Sequence, residues 1–333
     1  MILAGDIGGT KTILAIFSEI GGQLEIVTEQ KFASREHQEF NEIVRKFVAA
    51  QKHAVERVCF GIAGPVKNGR STATNLPWIV DTRTLANNFG FEPVGLINDL
   101  EATAYGLSLL EPEDCVVLNP GADHAEGNVA IIAAGTGLGE AGAYWDGNRH
   151  HPFACEGGHG DFAPRNELEI ALFRFLQTRF GHVSYERVLS GPGIYNIYKF
   201  LRDTLRVEES DRPSDDIMPE DMPAFITQKA LEGRNKLCAG TLDLFVSLYG
   251  AEAGNLALKT MATGGIYVGG GIAPKIIEKL KDDAFMQAFF SKGRMHPLLK
   301  DIPVRVILNQ KTALLGAAHH ARLRGGDRPL DSA

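Results

Sequence analysis

The sequence predicts an α/β protein of two domains, and three observations carry that expectation. Its 333 residues exceed the ~100–200 of a usual single domain. Short apolar strands alternate with helices whose apolar residues recur at helical spacing. A unit of strand, glycine turn and strand occurs twice, once around Gly8 and once around Gly135. The recurrence reads as a weak internal duplication with one α/β unit per domain; chance repetition of a glycine hairpin is the alternative.

The elements follow in order. Residues 2–6 form a buried strand, Gly8-Gly9-Thr10-Lys11 a turn, and residues 12–17 the returning strand of a hairpin. Residues 24–32 alternate well enough for a third strand. Phe40, Ile43, Val44, Phe47 and Val48 mark one face of a helix. Residues 57–63 make a strand ending at Gly64-Pro65, and Asp81 caps a helix that stops near Gly90. Residues 94–97 are a buried strand running into Asn98-Asp99, and the helix after it ends near Pro112. Residues 129–134, the turn Gly135-Thr136-Gly137-Leu138-Gly139 and residues 141–145 repeat the opening hairpin. Asn166 with Glu169 opens a helix closing at Gly181. Ile194, Ile197, Tyr198, Leu201 and Leu205 mark another. Residues 208–223 are acidic and carry three prolines, so they read as a loop or crossover. Residues 237–261 are helical by pattern but interrupted by Gly250 and Gly254. A strand at 266–268 enters Gly269-Gly270-Gly271, and a helix follows at 274–280. A strand at 304–308 and a helix at 312–323 complete the chain, with a frayed tail from Gly325.

Composition narrows the function. Apolar residues make up 44% and charged residues 23%, which excludes collagen, coiled coil and wholesale disorder. The 34 basic and 41 acidic residues give a net charge of −7 without a basic stripe, so nucleic acid is not the expected partner. No stretch approaches the ~20 apolar residues of a membrane span, and no signal peptide is visible. Cys59, Cys115, Cys155 and Cys238 lie far apart, so no CxxC site exists, and lone thiols point to the cytoplasm.

Three constellations carry chemistry. Glycine turns follow apolar strands at Gly8-Gly9, Gly135–Gly139 and Gly269–Gly271, where backbone amides can approach phosphate oxygens. None matches the P-loop or the dinucleotide fingerprint. Asp6, just before the first turn, is either a turn residue or a carboxylate holding Mg²⁺ through water. Asn98-Asp99 at a strand's carboxyl end is either a helix cap or a carboxylate placed to take a proton from a bound hydroxyl. Glu156-Gly157-Gly158-His159-Gly160-Asp161 packs two carboxylates and an imidazole into six residues. That set suits a polyol better than a metal, because no zinc spacing accompanies it. Glu186 is either a fourth hydroxyl reader or a first-turn acid.

These motifs, taken together, resemble the bacterial glucokinase family of actin-like sugar kinases. The carriers are Gly5-Asp6-Ile7-Gly8-Gly9-Thr10-Lys11, Gly61–Pro65, Thr74–Trp78, Leu96–Asp99, Ala134–Gly139, EGGHGDFAP from Glu156, VLSGPG from Val188, Gly254–Leu258 and Gly269–Pro274. The resemblance runs from about residue 2 to about residue 323. It implies a two-domain actin-like ATPase (ribonuclease H-like) fold, with mixed sheets flanked by helices and an interdomain cleft. The expected domains are 1–109 plus 310–333, the smaller, and 110–309, the larger.

The resemblance further implies phosphorylation of glucose to glucose 6-phosphate by ATP with Mg²⁺, opening glycolysis, in a cytoplasmic homodimer. By that resemblance Asp99 is the general base. Asn75, Asn98, Asp99, Glu156, His159 and Glu186 hold the sugar. Asp6, Gly8, Gly9, Thr10, Lys11, Gly135, Thr136 and Gly137 line the phosphates, and Gly269 and Gly270 lie near the adenosine. A sister family of sugar kinases and repressors carries a zinc-binding CxCGxxGC run. The corresponding stretch here, 161–168, holds no cysteine, so no metal site is expected there. A kinase for another hexose or N-acetyl hexosamine, and a non-catalytic sugar sensor of the same fold, are the alternatives.

Overall fold

The computed structural model describes residues 1–73, 76–205, 217–233 and 235–326. It divides into two units, Met1–Glu113 with Asn309–Ala333, and Asp114–Leu308.

In the first unit Ile2–Ile7 (β1) and Lys11–Ile20 (β2) form the expected hairpin, and Gln23–Ala33 (β3) returns along β2. Helix Phe40–Ala49 (α1) precedes Arg57–Ile62 (β4). Two short strands, Arg70–Thr72 (β5) and Ile79–Asp81 (β6), pair by themselves. Helix Thr82–Phe89 (α2), strand Val94–Asn98 (β7) and helix Asp99–Gly106 (α3) follow. The sheet order is β3-β2-β1-β4-β7, antiparallel through the hairpins and parallel across β1, β4 and β7. Side chains alternate between two cores. Leu3, Ile7, Leu14 and Ile16 join Phe40, Val44 and Phe47 of α1, whereas Ile2, Ala4, Ala15 and Phe17 face the other way.

The second unit begins with Cys115–Asn119 (β8), which the sequence reading did not mark. The repeated hairpin is Val129–Ala134 (β9) and Leu138–Trp145 (β10), with His150–Cys155 (β11) returning along the edge. Helices Glu167–Gln177 (α4), Gly191–Leu205 (α5), Met222–Leu231 (α6) and Lys236–Thr260 (α7) follow. Strand Gly265–Gly269 (β12), helices Ile277–Lys281 (α8), Asp283–Phe290 (α9) and His296–Lys300 (α10), and strand Val304–Ile307 (β13) complete it. The order is β11-β10-β9-β12-β13-β8. The chain then returns to the first unit as Thr312–Gly326 (α11), whose Leu314, Ala317 and Ala318 pack against Ile2, Ala4 and Ile97.

Several boundaries differ from expectation. Gly250 and Gly254 do not interrupt α7. They are the places where α9 crosses it, because a Cβ at either would collide with the backbone carbonyl of Phe285 or Phe289. The proline-rich stretch turns helical at Met222, where Pro223 sits in the first turn and needs no amide partner. Residues 206–216 of that stretch lie outside the described residues. The Asn166-capped helix ends at Gln177 rather than Gly181. The helix from Asp99 ends at Gly106, with 3-10 turns after it, rather than near Pro112. In place of one helix at 274–280 stands a 3-10 turn, Ala273–Ile276, leading into α8. Among the described residues no helix is long and apolar enough to cross a membrane.

Candidate active site

In the first unit the parallel register aligns the carboxyl ends of three strands. Ile7 pairs with Ile62, and Ile62 with Asn98. The first glycine turn, Asp6 and the Asn98-Asp99 corner therefore share one edge of the sheet, two strand spacings or about 10 Å across. Such an edge is where open α/β sheets bind ligands.

Asn98 is buried, and its amide makes three hydrogen bonds to the backbone. Its Oδ1 accepts from the backbone N–H of Leu100 at 2.8 Å and of Glu101 at 3.3 Å, so it caps α3. Its Nδ2 donates to the Gly64 carbonyl at 3.1 Å, fixing the loop after β4. The capping reading of Asn98 is thus what the geometry shows. Asp99 is the first residue of α3, where one oxygen accepts from the Leu100 N–H at 2.9 Å. Its side chain is half-exposed.

The turn Gly8-Gly9-Thr10-Lys11 is closed by the Gly8 N–H donating to the Lys11 carbonyl at 3.0 Å. Ser34 braces it from β3's end, through its hydroxyl to the Gly8 carbonyl at 2.7 Å and its N–H to the Thr10 carbonyl at 3.0 Å. Burial pushes the Asp6 carboxyl up, and Lys11 pulls it down less strongly. Asn75 lies outside the described residues.

In the second unit the corresponding turn is Gly135–Gly137, closed by the Gly135 N–H to the Gly137 carbonyl at 2.8 Å. The N-terminus of α5 docks on it, with the Gly191 N–H donating to the Gly135 carbonyl at 2.8 Å. Gly269 ends β12 opposite Ala133, and Gly270 adopts φ +82° against the Ala134 carbonyl, where any Cβ would collide. The space beside the turn is a cavity of about 1050 Å³, lined by Thr136, Pro192, Tyr195, Lys199, Ile272 and Lys275 among others. That volume accepts a nucleoside with its phosphates. Lys199 lies over the Tyr195 ring at 4.4 Å. Burial, and then Arg179 and Arg202, pull its ammonium below the usual lysine range. The sequence reading missed this cavity wall; its trace was the SGPG run that opens α5.

The glutamate-histidine run forms a 3-10 turn, Gly157–His159, laid on β10. His159 Nε2 stands 3.9 Å from Glu156 Oε2, and both side chains are more than half exposed, at 60% and 57%. The Tyr185 N–H donates to the Gly160 carbonyl at 3.0 Å, which brings the Glu186 segment alongside. Glu186 itself accepts from the Leu138 N–H at 3.0 Å, through the oxygen that leaves no room for a Cβ on Gly137. Glu186 therefore joins the sugar-motif segment to the second glycine turn, a link its sequence position does not disclose. Asp161 pairs with His182 at 2.8 Å and points away from that link.

The family profile described as Glucokinase matches residues 3–324. A glucokinase of Nostoc sp. is 42% identical over 96% of this chain and 98% of its own length. The crystal structure of a glucokinase from an Antarctic psychrotroph superposes with a TM-score of 0.84 at 30% identity, covering 97% of this chain and 98% of the other. A ROK family glucokinase from Streptomyces griseus, solved with glucose and AMPPNP, matches in fold at a TM-score of 0.65 and 24% identity, over 97% of this chain and 99% of that one.

Proposed function

The chain belongs to the glucokinase family, and on that premise we propose that it transfers the γ-phosphoryl group of ATP to the 6-hydroxyl of glucose with Asp99 as general base. Its actin-like sugar kinase fold is that of its structural relatives. The observation that carries the proposal is the Asn98-Asp99 corner. Asn98 spends its Oδ1 and one Nδ2 hydrogen on structure and keeps a second N–H for a hydroxyl, and beside it the Asp99 carboxyl group is half-exposed after the carboxyl end of the strand.

In this reading Asp99 accepts the hydroxyl proton as the sugar oxygen bonds to the γ-phosphorus, and the bond to the β-phosphate oxygen breaks, releasing ADP. Asn98, Glu156, His159 and Glu186, with Asn75, hold the other hydroxyls. Backbone groups around Gly8, Gly9, Thr10, Lys11, Gly135, Thr136 and Gly137 stabilise the phosphate charge, because fixed dipoles need no reorganisation during transfer. The adenosine occupies the cavity beside Gly269 and Gly270.

Mg²⁺ fits the donor set. A single enclosed carboxylate, Asp6, beside a phosphate turn suits an ion that keeps most of its waters. Bound there with ATP, it would neutralise phosphate charge. The same reading places the protein in the cytoplasm as a homodimer opening glycolysis; the family resemblance supports those three points.

The test is a coupled assay with Mg-ATP and glucose that reads glucose 6-phosphate through NADPH. Turnover that vanishes without Mg²⁺ is expected. Turnover only with another hexose would keep the chemistry and change the sugar, and silence with every sugar would refute the reading.

A further inference from the structure

We propose that Glu140 is a positioning residue for the sugar-facing turn: its carboxyl, seated beneath Gly157, holds Glu156 and His159 where a hexose meets them. The inference rests on the reading of those two residues as sugar contacts. It concerns a group that takes no part in phosphoryl transfer.

Glu140 lies on β10 directly opposite Cys155, the residue before Glu156. Its side chain is 2% exposed. Oε2 lies so close to Gly157 that a Cβ there would overlap it, so the turn is laid on this carboxyl. Among the described residues Oε1 of Glu140 has no hydrogen-bond partner.

A second buried acid explains the state of the first. Glu252 of α7 is wholly buried, yet it receives Lys259 Nζ at 3.0 Å and Asn255 Nδ2 at 2.7 Å. Glu252 faces Glu140 as a like charge, which disfavours ionisation of Glu140. Burial and then Glu252 push the Glu140 carboxyl up to about 7, with Lys259 opposing. The titratable groups facing Glu140 are Glu252, Lys259 and Tyr249 from α7, and Cys155 from β11 with Glu156 beyond it. On its other side β9 presents Ile132, which carries no charge.

A neutral carboxyl tolerates a dry seat, whereas an ionised one without donors does not. Above neutrality Glu140 therefore needs water. The exposed side of its seat is the turn over Gly157, so ionisation loosens the turn and displaces Glu156 and His159.

The experiment measures kcat and KM for glucose from pH 6 to pH 9 in wild type, Glu140→Gln and Glu252→Gln. Wild-type KM should rise about three- to tenfold across neutrality, roughly the worth of one hydrogen bond. Glu140→Gln, a permanently neutral mimic, should hold the low-pH KM throughout, with kcat at pH 6 unchanged. Glu252→Gln should move the midpoint to lower pH, since it removes the charge that keeps Glu140 protonated. A Glu140→Gln enzyme whose KM follows the wild-type rise, or whose KM is already raised at pH 6, would overturn the proposal, as would an unmoved midpoint in Glu252→Gln. His159→Ala separates the two readings. If it leaves glucose KM unaltered, the turn does not face the sugar; if it raises KM while Glu140→Gln tracks wild type, only the role of Glu140 falls.

Discussion

The two units share a strand plan and, on the proposed function, divide the chemistry. In each, a hairpin continues into a third antiparallel strand, and two parallel strands extend the sheet on the other side: β3-β2-β1-β4-β7 and β11-β10-β9-β12-β13. At the carboxyl ends of its parallel strands the first unit carries Asp6 before its turn and Asp99 after its last parallel strand. The second carries Ala133 and Leu308 at the matching places, and beside its turn lies the large cavity. At those two places the first unit has carboxylic acids and the second has none, with a cavity beside its turn. The difference teaches that the repeated topology supplies two glycine turns, while the residues at the strand ends distinguish the copies: on the proposed function the first performs proton transfer and the second receives the nucleotide.

The sharpest way to break that division is Asp99→Ala. Its kcat should fall ~10²–10⁴-fold, the usual worth of a positioned base, with an unaltered circular dichroism spectrum. Near-normal turnover would remove the first unit's distinctive role. Gly270→Val tests the other copy. The residue would be strained at φ +82° and pressed on the Ala134 carbonyl, so KM for ATP should rise by about tenfold or more, with glucose KM little changed. Equal effects on both substrates would argue against a separate nucleotide seat.

A smaller effect sharpens the contrast through pH. In the first unit His320 is buried against Cys59 Sγ at 3.2 Å, and burial, then Arg324 and His319, push it down to about 4. A histidine kept neutral by folding contributes stability above its unfolded value near 6.5, and that contribution is lost as pH falls toward 4. Glu140 of the second unit has the opposite sign: its raised carboxyl contributes stability at low pH that is lost as pH rises through about 7. Melting curves should therefore show Glu140→Gln gaining on wild type between about pH 4.5 and 7 and keeping that gain above pH 7. His320→Gln should flatten the decline between pH 6.5 and 4, by up to roughly 3 kcal/mol. Parallel pH dependence in both variants and wild type would contradict those assignments.

The parts of this plan legible in the sequence are those written locally. Both hairpins announce themselves by glycine between apolar strands. Asp81 and Gly90 bracket α2 as cap and left-handed stop, and Asn166 caps α4 through the Glu169 N–H. Elements set by tertiary contact were not legible. β11, His-His-Pro-Phe-Ala-Cys, lacks alternation and contains a proline that an edge strand alone tolerates. The glycines of α7 look like interruptions until α9 is seen crossing them. Within the site, Asn98 and Asp99 were visible as a strand end. The hold of Glu186 on the Leu138 amide and the seat of Glu140 under Gly157 join residues 48 and 17 positions apart, and no local pattern records either.

The division of labour is tested most directly by calorimetric titration of a non-hydrolysable ATP analogue into wild type, Asp99→Ala and Gly270→Val, each with saturating glucose. The account predicts wild-type affinity in Asp99→Ala despite its lost turnover, and affinity weakened about tenfold in Gly270→Val. Loss of nucleotide affinity in Asp99→Ala with full affinity in Gly270→Val would contradict it.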